Sequence, residues 1–159
     1  MGRKVVYCPH VGGFELSPKA IKRYFELVHP EVTLYFYRSS YDRKHNEIFH
    51  KINPENIKKS DSFITIFSVD LGESVRAENI SDEVYRDHYI STYDLKDTLE
   101  RHDPNLVKVV EELGGKEASG SFAGELEIKD IGDSKYHLYI SDETEAEWII
   151  TELPKGFWK

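Results

Sequence analysis

The chain has 159 residues and a formal net charge of −8 at pH 7, and 39% of its residues are hydrophobic. This length suits one domain with a sizeable core, and the composition excludes an intrinsically disordered chain. The acidic balance disfavours a nucleic-acid partner, because a protein that neutralises a phosphate backbone needs a broad basic surface.

The apolar runs and the cysteine content bear on the compartment. No run approaches the roughly 18–20 residues that a membrane helix requires, so we expect no membrane partner. The first residues do not lead into the apolar segment of a signal peptide. Cys8 is the single cysteine, which excludes an internal disulfide. We therefore expect a cytoplasmic protein.

The first element is a short strand followed by a tight turn. Residues 4–8 are almost continuously apolar, the pattern of a central strand that is covered on both faces. Pro9 cannot donate a ladder hydrogen bond and ends the strand. Gly12 and Gly13 then permit backbone angles that other residues avoid, and a turn is predicted there.

A helix and a second strand follow. Ser17 is a good N-cap and Pro18 suits the first helical position, so we predict a helix over residues 18–28. Residues 33–37 are β-branched and aromatic, which indicates a strand. If this strand returns beside the first, the three elements form a right-handed β-α-β unit.

The middle of the chain alternates between weak and strong signals. Residues 38–60 are polar and charged, and we interpret them as peripheral, with one short helix where Asn53 caps Pro54. Residues 63–69 carry the strongest strand signal and should lie inside the sheet. Ser81 is positioned to cap a further short helix.

The C-terminal third predicts a helix and three strands. Asp103 and Pro104 start a helix that Gly114 ends. Alternating polar and apolar residues then predict an antiparallel meander over 122–129, 136–140 and 146–150. The chain as a whole is predicted to be a single α+β (mixed α/β) domain, with an N-terminal β-α-β unit, a central sheet and the C-terminal antiparallel meander.

The turn before the first helix is a candidate anion site. Gly12 and Gly13 precede the helix that Ser17 caps, so backbone N–H groups and the positive end of the helix dipole should lie near one point. Phosphates and carboxylates are held in this way. The alternative is that the glycines only make the turn.

The start of the second long helix offers side chains for the same ligand. Arg101 and His102 come just before its N-cap, and an arginine there could clamp a phosphate bidentately. Arg101 could instead pair with Glu111 or Glu112 on the surface. Ser119 lies in the glycine-containing loop after this helix and is a further candidate contact. We expect these residues to share one cleft with the paired glycines.

Other chemistry is weakly indicated. Cys8 lies near His10, and a thiol beside an imidazole is a candidate nucleophile, although a small buried packing residue is the alternative. We see no signature for a metal or a cofactor and predict neither. Trp148, Phe157 and Trp158 are expected to pack in the core and tail; an exposed aromatic tail would instead suit contacts in a homo-oligomer.

Two blocks of the sequence resemble a known family. The first is Cys8 followed by Gly-Gly-Phe-x-Leu-Ser at 12–17, and the second is Arg-x-Asp-Pro-x-Leu-Val-x-Val-Val-Glu-Glu-Leu-Gly at 101–114. The chain is similar in these blocks to small uncharacterised proteins of tailed bacteriophages. The resemblance implies a phage-type accessory protein in the host cytoplasm. Residues 39–99 depart from the family and are interpreted as an insertion.

The preferred functional hypothesis is a binding protein without catalytic residues. It would bind and sequester a small anionic ligand such as a nucleotide, for example to counter a host response. Two alternatives remain open. One is a small phosphoesterase or transferase that uses Cys8, His10 or Arg101. The other is an acidic protein-interaction module that inhibits a host protein.

Overall fold

The computed structural model describes residues 3–58, 61, 64–120 and 123–152. The strands are β1 (Arg3–Tyr7), β2 (Tyr35–Tyr41), β3 (Glu47–Ile52), β4 (Ile64–Phe67), β5 (Ser74–Arg76), β6 (Tyr89–Ile90), β7 (Glu127–Gly132), β8 (Tyr136–Ile140) and β9 (Glu147–Thr151). The α-helices are α1 (Pro18–Val28), α2 (Asp82–His88), α3 (Thr92–Thr98), α4 (Pro104–Leu113) and α5 (Gly115–Ala118), and 3-10 helices span Pro54–Asn56 and Ala77–Asn79.

The strands form three antiparallel sheets, which confirms the α+β class. Their orders are β1-β7, β5-β3-β2-β4-β6 and β8-β9. The predicted pairing of β1 with β2 in a β-α-β unit is wrong. These two strands flank α1 in the chain, but they lie in different sheets. Instead, β1 pairs with β7, and β2 pairs with both β3 and β4, in each case antiparallel. None of the helices in the described ranges is long and apolar enough to cross a bilayer.

The segment interpreted as peripheral supplies much of the largest sheet. β2 and β3 form a hairpin whose turn is held by Asp42, which accepts hydrogen bonds from the backbone N–H groups of Lys44 (2.8 Å) and Asn46 (3.0 Å). The prediction that residues 38–60 are peripheral was therefore wrong. β3 was missed because it mixes polar and apolar residues. His50, for example, bonds to the hydroxyls of Ser40 and Ser74 on the two neighbouring strands.

Both faces of this five-stranded sheet are covered. Phe36 and Ile66 point to one face and pack in the main core with α1 and α4. Tyr37 and Phe67 point to the other face and meet edge to face, with ring centroids 5.9 Å apart. β4 lies between β2 and β6, so the prediction that it is internal is confirmed. The predicted start of that strand at Phe63 lies outside the described residues.

The predicted helix starts are confirmed. Ser17, Asn53, Ser81 and Asp103 each accept a hydrogen bond from a backbone N–H two or three residues later. These bonds satisfy first-turn N–H groups that have no partner within the helix. α1 has the bounds that its cap and apolar spacing predicted. α1 and α4 pack against each other, and α4 also packs on β1.

β1 is covered on both faces without being central. It pairs with β7 in a two-stranded sheet, so the prediction of a central strand was wrong. The sheet is nevertheless buried between two layers. Val6 faces the main core with the helices, and Val5 packs with Ile149 of the β8–β9 hairpin. The continuous apolar run of β1 reflects this packing between layers.

The C-terminal meander forms only in part, and the faces of its last strand are exchanged. β8 and β9 make the expected hairpin, whereas β7 pairs with β1. Glu147 and Ile149 are buried, and Trp148 and Ile150 are 46% and 47% exposed. The prediction that Trp148 packs in the core was therefore wrong. Phe157 and Trp158 lie outside the described residues.

Candidate functional site

The paired glycines make a turn that is tied to the loop before β9. Gly12 and Gly13 have φ angles of 103° and 73°, which favour glycine over other residues. The Gly12 N–H donates to the carbonyl of Thr144 (3.0 Å), and the Gly13 N–H donates to that of His10 (3.3 Å). A Cβ on Gly13 would lie 3.0 Å from the backbone oxygen of Glu145. Both amides are thus used within the chain.

Arg101 binds a carboxylate of its own chain. Its guanidinium donates to both oxygens of Glu147, with Nη1–Oε1 at 2.5 Å and Nη2–Oε2 at 2.8 Å. The same group lies 3.7 Å from the centre of the Phe14 ring, a cation–π contact. Glu147 is 3% exposed and Arg101 is 9% exposed. The bidentate geometry expected for a phosphate is therefore occupied by an internal carboxylate.

Glu147 also holds the end of β1. Its Oε1 accepts a hydrogen bond from the backbone N–H of Cys8 at 2.9 Å, and its own N–H donates to the Cys8 carbonyl at 2.8 Å. The carboxylate thus joins β9, the end of β1 and the segment before α4. The bonds to Arg101 and Cys8 hold the Glu147 side chain in the interior. Because side chains alternate along β9, Trp148 then points outward. The pairing suggested for Arg101 with Glu111 or Glu112 does not form, since those two pair with Lys4 and Arg23.

His102 contacts the C-terminal hairpin. Its Nδ1 lies 2.7 Å from the hydroxyl of Tyr136, and its Nε2 lies 3.1 Å from the carboxylate of Glu100. The His102 and Tyr136 rings meet edge to face. The imidazole therefore fastens β8 to the segment before α4.

Cys8 lacks the surroundings of an activated thiol. It is fully buried, and its Sγ lies 3.8 Å from the carbonyl oxygen of His10. Burial raises the pKa of the Cys8 thiol, with bonds to the His10 and Gly124 backbone acting in the opposite direction. The thiolate is the nucleophilic form, so this environment favours a packing role. The His10 ring points instead to Glu127, with Nε2 3.2 Å from its carboxylate.

Ser17 and Ser119, the remaining predicted residues, line a surface cleft. It lies between the first turn of α1, the segment after the 3-10 helix Pro54–Asn56, and the end of α5. Leu16 and Ser119 form an isolated antiparallel bridge that brings the two segments together. The charged side chains around the cleft belong to Lys19, Lys58, Asp61 and Glu117.

The first turn of α1 fixes the positions of polar groups at the cleft. The Ser17 hydroxyl accepts from the Ala20 N–H (3.2 Å) and donates to the carbonyl of Glu117 (2.7 Å). The backbone N–H of Lys19 lies in the first turn, where an amide has no acceptor within its helix. The positive end of the α1 dipole points in the same direction.

One carboxylate of the cleft is already engaged. Asp61 accepts from the Lys58 N–H (2.8 Å) and from Arg38 (2.9 Å). The Lys58 backbone bond and then the Arg38 charge hold the pKa of Asp61 below its usual range. Across the described part of the chain, no carboxylate lies within 4 Å of the ammonium of Lys19 or Lys58. The Lys58 charge also acts on Asp61, and Glu117 is the second carboxylate that lines the cleft.

The six predicted residues divide between two places. Ser17 and Ser119 line the cleft, whereas Gly12, Arg101 and His102 bond to the β8–β9 hairpin and the turn that joins its strands, and Gly13 lies close to Glu145 of that turn. Ligand binding by any of them stays a prediction. The sequence interpretation missed Lys58, because its segment was considered peripheral, and Glu147, because simple alternation placed it outside.

Two searches complete the description of the site. Among the residues that the structure describes, no group of three or more His, Cys, Asp or Glu side chains is arranged to hold a metal ion. No family model matches this chain, and comparisons with curated proteins and with solved structures find no significant similarity. The resemblance to phage proteins remains a prediction from the two sequence blocks.

Proposed function

We propose that this protein binds a small anionic ligand, such as a nucleotide, at the cleft at the start of α1. The observation that carries the proposal is the convergence of the first turn of α1 with the Lys19 and Lys58 side chains on one open cleft. It relocates the predicted anion site from the paired glycines to the helix N-terminus itself.

Several features of the cleft suit an anion. The end of a helix dipole stabilises a negative charge by about 0.3–1 kcal/mol at an exposed site, and each lysine adds attraction. The Lys19 N–H is available as a hydrogen-bond donor. Asp61 is paired with Arg38, so its charge is offset at close range.

The proposed role is sequestration by a phage-type accessory protein. Two observations support this role. One is the resemblance in residues 8–17 and 101–114, and the other is the environment of Cys8 and Arg101, the side chains that an enzyme would use. Cys8 is buried, and Arg101 is paired with Glu147. A phosphoesterase that relied on these two groups would have to release both of them first. Binding without turnover requires no such rearrangement.

Thermal unfolding in the presence of inorganic phosphate, AMP, ATP and cyclic nucleotides tests the proposal. A ligand at one hundred times its Kd stabilises the folded state by about 2.7 kcal/mol. For a chain of this size, each kcal/mol shifts the Tm by roughly 2–4 °C. We expect at least one of these anions to raise the Tm in this range, with phosphate alone giving a smaller shift.

A matched set of lysine variants locates the site. The double variant Lys19→Ala/Lys58→Ala should lose most of the ligand-induced shift, while its Tm without ligand stays close to that of the wild type, since both side chains lack an ion pair within the described ranges. Lys108→Ala, on the exposed face of α4, should respond to ligand like the wild type. A flat screen, or a shift that survives the double variant, would overturn the proposal.

A further inference from the structure

The C-terminal hairpin presents an apolar face that the rest of the described chain does not cover. Tyr139 and Trp148 lie directly opposite each other in the β8–β9 register and stack with centroids 5.6 Å apart and planes 14° apart. Tyr139, Trp148 and Ile150 are between 45% and 47% exposed. His137 extends the same face, because it lies opposite Ile150.

One strand of this hairpin also has an unpaired edge. The Ser141 N–H donates to the carbonyl of Ala146, and the Glu152 N–H donates to that of Lys135, so the odd-numbered residues of β8 bond toward β9. The N–H and C=O groups of Tyr136, Leu138 and Ile140 therefore point away from β9. No other strand of the described ranges pairs with that edge.

The two outer edges of the hairpin differ. The edge of β9 is occupied in part, since the Glu147 N–H donates to the Cys8 carbonyl and the Lys129 ammonium donates to the carbonyl of Ile149. β8 has neither kind of contact with another described residue along its outer edge. It also lacks the usual protection of an edge strand, which is a proline, a bulge or a charged residue within the strand. Ile140, at its end, is 54% exposed.

The sequence of β8 is suited to pairing with itself. An antiparallel pair of β8 strands centred on Leu138 would place each outward-pointing N–H opposite a C=O of the other copy, with Tyr136 across from Ile140. His137 would then lie across from Tyr139, on the face that carries the stacked rings. The aromatic bands of the two copies would become continuous, and Ile140 would be covered.

The charges around β8 complement each other in the same arrangement. The strand itself contains no Lys, Arg, Asp or Glu; Lys135 precedes it, and Asp142 follows one residue after its end. Antiparallel pairing brings Lys135 of one copy beside Ser141 and Asp142 of the other. Both charged side chains are exposed, and no ion pair joins either of them to another described residue. Lys135 and Ser141 share the face of the stacked rings and Asp142 follows Ser141, so the pairing places opposite charges near each end of the interface and opposes no like charges within the strands.

We infer that the outer edge of β8 is a self-association surface, through which two copies of this chain join their hairpins into one four-stranded antiparallel sheet. The interface is isologous, and backbone hydrogen bonds supply its register. It does not include the cleft at the start of α1, so it is independent of the proposed anion binding.

Sedimentation velocity from micromolar to submillimolar protein, at physiological ionic strength, measures the association. We expect a reversible monomer–dimer equilibrium. Ile140→Pro should leave only monomer, because it removes an N–H that points outward and spares the bonds between β8 and β9. Ile140→Thr keeps that N–H and a β-branched side chain, and it should still dimerise. Thermal unfolding of both variants verifies that the hairpin remains folded.

A charge exchange tests the register. Lys135→Glu brings like charges near each other at both ends of the interface and should raise the dimer Kd by about threefold to fivefold. Adding Asp142→Lys to that variant should bring the Kd back toward the wild-type value, because opposite charges again lie near each other. A chain that sediments as a monomer at every concentration would contradict the inference. A dimer that Ile140→Pro leaves unchanged would also contradict it, because the contact would then lie elsewhere.

Discussion

The surroundings of Arg101 and the cleft at Ser17 have the same local design and opposite outcomes. Each places polar groups at the start of a long helix, Arg101 two residues before the cap of α4 and Ser17 as the cap of α1. At Arg101 the space is filled by Glu147 and the Phe14 ring. At Ser17 the space opens to solvent between two lysines. The start of a helix can attract an anion in both places. At Arg101, however, the chain itself supplies the anion, which is the carboxylate of Glu147.

The difference arises from contacts between distant parts of the chain. Glu147 is 46 residues from Arg101, and β9 carries it into the interior. A buried guanidinium requires a paired carboxylate, because an unpaired buried charge costs several kcal/mol. The cleft has no such demand, since Lys19 and Lys58 keep their ammonium groups in water. The first region is thus expected to govern stability, and the second to govern binding.

Removing the internal carboxylate should have the largest effect. Glu147→Ala leaves Arg101 buried without its partner and leaves the Cys8 N–H without its carboxylate acceptor. We expect the free energy of unfolding to fall by about 3–5 kcal/mol, measured by urea denaturation. Glu143→Ala, an exposed carboxylate in the turn before β9, should change it by less than about 0.5 kcal/mol. Equal effects of the two variants would show that the buried pair has no special role.

The contact between the two helix starts should have an intermediate effect. The Tyr24 hydroxyl donates to the capping carboxylate of Asp103 at 2.6 Å, which links α1 to the start of α4. A hydrogen bond to a charged group contributes about 1.5–3 kcal/mol, so Tyr24→Phe should lower the free energy of unfolding by this amount at neutral pH. Urea denaturation of both proteins measures the difference.

The pH dependence of that difference has a definite sign. Burial, followed by the bond to Asp103, raises the pKa of Tyr24 above its ordinary value of 10.0. The folded state therefore holds the phenolic proton more tightly than the unfolded state. The contribution is fully present below pH 10 and is lost as the pH rises above it. A gap between wild type and Tyr24→Phe that stays constant or widens above pH 10 would contradict this assignment.

Local signals in the sequence predicted the local parts of the fold. Ser17, Asp103 and their following prolines gave the helix starts, because a cap and its N–H groups lie within three residues of each other. The pairing of β1 with β7 and the inward turn of Glu147 depend on partners more than a hundred residues away in the first case and 46 in the second. Periodicity shows only that successive side chains of a strand point to opposite faces. In β9, the buried pair of Glu147 with Arg101 decides which of the two faces points inward. For the same reason, the sequence identified polar residues at helix starts but not which of them the chain itself would occupy.

The smallest effect on stability should come from Ser17, the N-cap of α1. At this residue the effect on stability can be separated from the effect on binding. Ser17→Ala removes the acceptor of the Ala20 N–H and the donor to the Glu117 carbonyl, and should cost about 1–2 kcal/mol of unfolding free energy. Ser81→Ala removes the equivalent bond to the Val84 N–H at the start of α2 and should cost a similar amount. With an anion that raises the Tm of the wild type, Ser81→Ala should keep the full ligand-induced shift. Ser17→Ala should weaken binding by about fivefold, because the lost bonds to Ala20 and Glu117 hold the first turn of α1 against α5 at the cleft. If both variants respond equally to the anion, the start of α1 is a structural cap like that of α2, and the comparison with Arg101 reduces to one of burial alone.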